Sequence, residues 1–549
     1  MLLAAPVNYV EGGTRIAGFM IRNHQLYRGT DMSTPQKPSY YYAIKDPPQA
    51  RTLECDVCVY GATSAGVTAA VQAARLGHRV ALVEFGRFMG GMTTSGLSAT
   101  DTGNRHVIGG MAREFYKDLG SFYGTGEQWF FEPHVASKVF HAWLEHENIA
   151  LFLEHRLAKV EKSGARLNSI WTEDGVQFRA QMFIDATYEG DLLAKAGVTY
   201  TVGREPNTMY DEHYDGIQYG HPHHNFIRFV DPYRKAGDSS SGLLHGVSDM
   251  PAGVQGQGDT LIQAYNFRLC LTRESNNLVP FDKPSDYDPE KYELLRRYIE
   301  AGIFDIFDLN RPLPNNKSDH NNWGAVNTDH IGANYDWPTG DYKTRERIYQ
   351  DHVSYQKGLF YFLTNDRQLP QNVIRFSSEW GLSADEFTET GNWPPQLYVR
   401  EARRMISDYV ITEHDTMGRY TPEDSVGMAS YKMDSHNCKR IVKAGRAMNE
   451  GNVEVSPLDP LPIPFRSIRP KRSECTNLLV PVCVSASHIA YGSIRMEPVF
   501  MITGQSAAIA AHLAIEGDGI VQNISYSTLE QKMRSEGQIL TAPSREASA

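Results

Sequence analysis

Cysteine is scarce in this chain: six residues in 549, at Cys55, Cys58, Cys270, Cys438, Cys475 and Cys483. They are too few and too scattered for a disulfide framework. Cys55 and Cys58 have C-x-x-C spacing, but they lie in ECDVCVYG, a run of strand character. Residues three apart on a strand face opposite ways, so buried thiols are expected there rather than a redox or zinc pair. Positive charge is also in deficit. Fifty-four Lys and Arg against 65 Asp and Glu leave a formal net charge of −11. Nucleic acid is therefore not an expected partner, because phosphate binding needs clustered basic residues. The densest basic stretch, Arg466 to Arg472 in FRSIRPKR, is too short to override that balance.

No run of 18 apolar residues occurs, so no membrane-spanning helix is expected. The start, MLLAAPVNYVEGG, lacks the basic flank of an intact signal peptide. A cytoplasmic location is expected, with secretion or a periplasmic location after signal removal left open. There is no G-x-S-x-G, H-E-x-x-H or Walker sequence, which removes the usual signatures of hydrolysis and phosphoryl transfer. His221-Pro222-His223-His224 invites a metal reading, but Pro interrupts it and no Cys or carboxylate follows at ligand spacing, so no metal is expected. Internal repeats and low-complexity tracts are absent.

What is present is globular in character, with 41% hydrophobic, 22% charged and 11% aromatic residues. The length suggests two or three domains. Residues 1–50 are polar and Tyr/Pro-rich, and read as an arm or small hairpin. From there DVCVYG (56–61) reads as a strand, Ser64–Leu76 as a small-residue helix and RVALVE (79–84) as a second strand. This is the start of a doubly wound sheet. Helices follow around 109–120 and 134–147, then strand-like pieces at 150–154, 167–172 and 176–184. The middle, about 203–340, is loop-rich. Ile348, His352, Tyr355, Leu359 and Phe362 keep helical spacing, as do Tyr398, Ala402, Met405 and Tyr409. LLVPVCVS (478–485) reads as a buried strand, and 498–515 as a small-residue helix.

Four motifs carry chemistry. Gly61-Ala62-Thr63-Ser64-Ala65-Gly66 lies between strand and helix and matches a dinucleotide fingerprint, except that Thr63 replaces the middle glycine. That side chain must turn away or offer its hydroxyl to a phosphate, while the helix N-terminus still provides amides and positive potential. Glu84, about 20 residues on, is placed to accept ribose hydroxyls. Gly90-Gly91-Met92-Thr93 lets the chain pass close under a flat cofactor, which moves the reading from NAD toward FAD. Ile184-Asp185-Ala186-Thr187-Tyr188-Glu189-Gly190-Asp191 closes a strand with an acid that could touch the nucleotide or cap a turn. Finally, Ser487-His488-Ile489-Ala490-Tyr491-Gly492-Ser493-Ile494-Arg495-Met496-Glu497-Pro498 leads into a helix whose positive end would stabilise a reduced flavin.

GATSAG, LVE, GGMTTSGL, GGMAREFY (109–116), IDATYEGDL, QAYNFRL (263–269), LYVREARRM (397–405) and SASHIAYGSIRMEP together resemble the FAD-dependent oxidoreductase family, within the glutathione-reductase-like class of flavoproteins. The resemblance covers about 54–515 and implies FAD held in a discontinuous domain, with an inserted substrate domain. It implies no substrate. It makes Gly61, Gly66, Glu84, Gly90, Gly91, Met92, Thr93 and Asp185 FAD contacts.

The expected fold is α/β: a Rossmann-type FAD-binding domain over 51–200 and 431–520, an inserted α+β substrate domain over 201–430, an N-terminal arm and a tail over 521–549. Further cofactor contacts are expected from Ala62, Thr63, Ser64, Ala65, Ala186, Asp191, Arg495, Glu497 and Pro498, with Arg466–Arg472 as a local anion or flavin contact. The expected reaction moves hydride between a polar small molecule, a sugar or polyol for instance, and flavin N5. His488 is the leading base, because it lies ten residues before the helix end. His330, in Asp329-His330, is a second candidate. Tyr491 and Arg495 would orient the substrate. Asn266 and Arg268, two apart on an expected strand, could line the pocket. Arg400, Arg403 and Arg404 read as a solvated helix face. The alternatives are a non-redox flavin-dependent lyase or isomerase, and a non-catalytic nucleotide-binding protein. A homo-oligomer is allowed.

Overall fold

Five short apolar runs form a parallel sheet in the order Leu478–Leu479, Met182–Asp185, Val57–Tyr60, Val80–Val83, Ala150–Phe152. The computed structural model describes residues 37–42, 44, 50–307, 311–457 and 459–542. The arm expected over 1–50 therefore lies mostly outside the described residues. The strands Val57–Tyr60 and Met182–Asp185 are buried at every position, as strands covered on both faces must be. Register aligns Tyr60 with both Val83 and Asp185. The three strands therefore end level, and Gly61, Glu84 and Ala186 emerge side by side at their carboxyl ends, where open α/β sheets bind ligands.

The helix Ser64–Arg75 follows the first strand and packs on the helix Glu497–Glu516 from the far end of the chain. Contact is close because both helices are rich in small residues. A Cβ on Gly504 would stand 2.3 Å from the Ala65 carbonyl oxygen, and Thr68 Oγ1 donates to the Met501 carbonyl at 3.1 Å. Glu497–Glu516 is long and apolar enough to cross a membrane, yet it lies buried in the interior, so its composition is explained by the core it fills. A smaller sheet, Arg51–Glu54, Val176–Arg179, Arg166–Thr172 and Leu157–Ser163, lies beside it in the chain.

The middle of the chain builds an antiparallel sheet in the order Leu278–Val279, Gly381–Ser383, Leu269–Thr272, Lys317–His320, Pro312–Leu313. The helix Tyr342–Asn365 is started by Asp341, whose side chain accepts from Thr344 N. Its apolar stripe, including Tyr355, Leu359 and Phe362, forms a second core with Tyr292, Leu295 and Tyr298. In the expected tail, a helix Tyr526–Ser535 buries Leu529 and Met533.

Three sequence expectations fail here. The helix expected over 398–409 is absent; that stretch is extended, and only Arg404–Met405 pairs, with Tyr200–Thr201. Arg400, Arg403 and Arg404 are buried, not solvated. Arg400 reaches the Ala264 carbonyl, Arg403 the Glu189 carbonyl and Arg404 the Ala486 carbonyl. Three guanidinium groups that must be satisfied by three separate segments override the local helical spacing. Likewise LLVPVCVS pairs only at Leu478–Leu479, since Pro481 has no N–H to extend the ladder. All six cysteines are free and buried.

Candidate functional site

The first strand ends at Gly61, with φ +97. A Cβ there would stand 2.7 Å from Thr187 N, so both conformation and contact require glycine. Thr63 caps the following helix: its hydroxyl accepts from Gly66 N at 3.3 Å and donates to the Ala186 carbonyl at 2.7 Å. The Thr in place of the middle glycine is thus turned away, its hydroxyl consumed locally. Gly66 is needed for a different reason: a Cβ would lie 1.8 Å from the Gly61 carbonyl oxygen. The first-turn amides of Ser64 and Ala65 have no acceptor within the helix.

Glu84 closes the second strand. Its carboxylate accepts from Ala62 N at 2.6 Å and Gly86 N at 2.8 Å, while burial lifts its pKa to about 7. A cleft of about 370 Å³, including its open mouth, adjoins Glu84 and is also lined by Tyr40, Phe85, Gly91 and Ser95. Gly90 and Gly91 both have positive φ, +94 and +56, and a Cβ on Gly91 would lie 2.2 Å from Tyr188 Oη.

The chain ends meet at Glu497. Ser64 Oγ and Thr93 Oγ1 each donate to Glu497 Oε2 at 2.7 Å, and Tyr188 Oη donates to Oε1 at 2.8 Å. Burial raises the Glu497 pKa. Residues from the first helix, the diglycine turn and the third expected motif therefore converge on the first turn of Glu497–Glu516, which holds Pro498 and has no side-chain cap. Two helix N-termini stand together, as anion and cofactor sites require.

Asp185 and Asp191 are placed differently from expectation. Asp185 accepts from Thr187 N, Thr187 Oγ1 and Leu193 N, which makes it a turn-holding group; burial lifts its pKa to about 6. Asp191 is gripped by Arg345, at 2.6 and 2.9 Å, and by Arg403 at 2.8 Å. Both carboxylates are fully used within the protein. Arg466 pairs with Asp424 at 3.0 and 2.9 Å, and Arg472 donates to Asn523, so both ends of the basic stretch are engaged within the protein.

Arg495 immediately precedes the core helix. It donates to Tyr398 Oη and to the Asp434 carbonyl, each at 3.0 Å. Arg268, Arg400 and Arg495 all lie within 6 Å of the Tyr398 ring, at 5.9, 4.5 and 5.8 Å. Arg268 pairs with Asp319, at 2.8 and 2.6 Å, and Arg400 with Asp329 at 2.9 Å. Even so, Arg268 Nη1, Arg400 Nε and Arg495 Nε are buried without an acceptor. Each such orphan costs about 1–3 kcal/mol.

His436, which sequence reasoning missed, stands at this cluster. Its Nδ1 lies 2.8 Å from Asp329 Oδ2, and its Nε2 is 3.9 Å from Asp434 Oδ2, which in turn is 3.3 Å from Arg495 Nη2. Burial, and then Arg400, push its pKa well below the ordinary histidine value, so the ring is neutral. No local motif in DSHNCKR marks it: Asp329 comes from 107 residues upstream, and Asp434, within that run, is held by Arg495 from the C-terminal segment.

The expected bases lie elsewhere. His488 is buried, with Nδ1 at 2.8 Å from Glu401 Oε2, Nε2 at 3.0 Å from Ser435 Oγ and its amide donating to Glu205. Burial, then Arg404, lowers it to about 3. Both ring nitrogens are engaged, the pattern of a structural histidine. His330 stacks on Tyr355, with centroids 4.0 Å apart, in a pocket lined by His245, Lys291 and Arg440. Its neighbour Asp329 turns to His436 instead. Tyr491 Oη donates to the Val482 carbonyl at 3.1 Å. Asn266 and Arg268 are both buried, on an extended stretch just before Leu269–Thr272.

The residues at the carboxyl ends of the sheet fit FAD: a buried acid beside a cleft, paired left-handed glycines, a glycine-tight turn and two helix starts within one hydroxyl bridge. The family model described as FAD dependent oxidoreductase matches residues 56–533. No curated protein sequence matches the chain. Among solved structures it is similar to the OxyS anhydrotetracycline hydroxylase from Streptomyces rimosus, at 14% identity over 28% of this chain and 36% of that one, with a TM-score of 0.23. It is also similar to the L-amino acid deaminase from Proteus vulgaris, at 12% identity over 29% and 54% of the two chains, with a TM-score of 0.24. A third is the L-proline dehydrogenase from P. horikoshii, at 18% identity over 31% and 27%, with a TM-score of 0.18. The chain spans well under two thirds of each of these structures, and likeness this partial says nothing of activity.

Proposed function

Because the chain belongs to the family of FAD-dependent oxidoreductases, we propose that it moves hydride between a polar small molecule, of the sugar or polyol class, and flavin N5, at the cluster beside the start of Glu497–Glu516. FAD, when bound, supplies a two-electron hydride acceptor or donor at N5. Ser64, Thr93 and the first-turn amides of both helices would hold it, with Glu84 at the ribose. The antiparallel sheet and helices of about 201–430 serve as the substrate-binding insertion.

The Asp329–His436 pair beside Arg495 is the observation that carries this reading. Asp329 holds Nδ1–H, which fixes the tautomer and leaves the lone pair on Nε2. His436 Nε2 takes the proton that leaves a substrate hydroxyl as it is oxidised, and returns it in the reverse direction. Arg495 and Arg400 offer their unused N–H groups to substrate oxygens. Burial of the whole cluster excludes water and strengthens these contacts. The holoenzyme, mixed anaerobically with a panel of sugars, polyols and their acids, is expected to lose its flavin absorbance with at least one. Failure of every oxidisable compound, under conditions where dithionite bleaches the flavin, would remove the redox reading.

A further inference from the structure

Close to the Asp329–His436 pair, with the His224 and His436 rings 6.3 Å apart, the histidines of His221-Pro222-His223-His224 gain the carboxylate that sequence spacing did not provide. Glu454 comes from the strand Val453–Val455, which pairs with Met433–Ser435. One ligand atom from each of His221, His223 and Glu454 fits within 4.8 Å of the other two. His223 Nδ1 and Glu454 Oε1 are 3.2 Å apart. Ligands about 2.0–2.1 Å from a tetrahedral ion stand roughly 3.3 Å from one another, so this edge is already at ligand spacing. We propose that His221, His223 and Glu454 bind a divalent transition-metal ion, zinc being the best chemical match for two imidazoles and a carboxylate.

The surroundings support that assignment. Asn452 Nδ2 is 2.8 Å from His221 Nδ1 and 3.2 Å from Glu454 Oε1, so one amide tethers two of the three groups to each other. Lys432 Nζ binds the other carboxylate oxygen, Glu454 Oε2, at 2.5 Å, leaving Oε1 toward the imidazoles. The turn itself is pinned: the His224 carbonyl accepts from Asn437 Nδ2 at 3.0 Å and Asn449 Nδ2 at 2.7 Å. His224 Nε2, 3.9 Å from Glu454 Oε1, is available as a fourth ligand.

A second three-residue grouping, with two carboxylates and one imidazole, shows why this one is distinctive. Glu132, His134 and Glu386 also bring their ligand atoms together, but there the ammonium of Lys317 lies 2.6 Å from Glu132, 2.8 Å from Asp385 and 2.7 Å from Glu386. That cluster already contains its cation. At His221, His223 and Glu454 the lysine binds the far oxygen, Oε2, and Oε1 is met by His223 Nδ1 and Asn452 Nδ2 instead.

The test uses tag-free, flavin-loaded protein stripped with a chelator, then dialysed against Zn²⁺ and assayed for bound metal. One zinc per chain is expected. His221→Asn, His223→Asn and Glu454→Gln should each weaken binding by about tenfold or more, while His134→Asn leaves it unchanged. His223 is 55% exposed at its side chain, so its substitution leaves the fold intact, and unchanged flavin content verifies this for each variant. Absence of stoichiometric zinc, equal binding by His223→Asn, or loss of binding on His134→Asn overturns the proposal.

Discussion

The two halves of the candidate active site are built from different materials. On the nucleotide side, backbone amides, glycines and hydroxyls do the shaping: Gly61, Gly90 and Gly91 turn the chain, and Ser64, Thr93 and Tyr188 meet on Glu497. On the substrate side the material is buried charge: Arg268, Arg400 and Arg495 around Tyr398, faced by Asp319, Asp329 and Asp434. Backbone shape follows from neighbours in sequence. Buried ion pairs must be satisfied by distant residues, because an unpaired charge in the interior is too costly to keep. The glycine turns of the first are therefore written locally, while its meeting on Glu497 and the whole of the second are assembled.

The largest expected effect separates the assembled histidine from the local one. His436→Asn should lower kcat by about 10²-fold or more with flavin retained, whereas His488→Asn should act mainly on thermal stability. Paired measurements of kcat and Tm decide between them, and the reverse pattern would restore His488 as the base. Next in size is Gly61→Ala, which forces a Cβ into Thr187 N at 2.7 Å. Flavin per chain, read from the visible spectrum, should fall by about tenfold or more, equivalent to at least about 1.4 kcal/mol. Full flavin content would show that the turn is not part of the cradle.

Smaller effects lie in pH dependence, with opposite signs on the two sides. Glu84 has its pKa raised from 4.5 to about 7 by burial. Its neutral form supports the fold below about pH 4.5, and that support is lost as pH rises through 7. Flavin-free Glu84→Gln should accordingly lose less stability than the parent between pH 5 and 8, by about 1–3 kcal/mol. His488 has its pKa lowered from 6.5 to about 3, so its contribution is present above pH 6.5 and fades as pH falls through 3. His488→Asn should flatten that acid limb, checked by thermal melts across pH. Smallest of all, Arg466→Gln removes a half-exposed pair with Asp424 and should cost no more than about 1 kcal/mol, with flavin content unchanged. Lost flavin there would return the basic stretch to the cofactor.

The strand, turn and helix frame of the proposed nucleotide side was legible in the sequence. Gly61–Gly66, Glu84 and Gly90–Thr93 follow strands and precede helices at the spacing a doubly wound sheet requires, and Thr63 did turn away. Asp185 and Asp191 were harder to place, since an acid after a strand serves equally as a ligand, a cap or an ion-pair partner. Only their neighbours, Thr187 and Leu193 for one and Arg345 and Arg403 for the other, decide. On the proposed substrate side, position along the chain says little about contacts: His488 lies close to the helix start in sequence, and its ring meets Glu401 and Ser435.

The sequence by itself determined the strand–turn–helix–strand unit, its glycines and its terminal acid, because strand, tight turn and helix are set by backbone conformation and by residue spacing within some thirty residues. The tertiary structure alone decided that Ser64 meets Glu497, that Asp329 orients His436 rather than assisting His330, and that Glu454 joins the surface histidines. Each of these pairings closes a loop of about a hundred residues or more. What selects such partners is the need to satisfy buried or converging polar groups once the chain has packed, and no local spacing encodes that requirement.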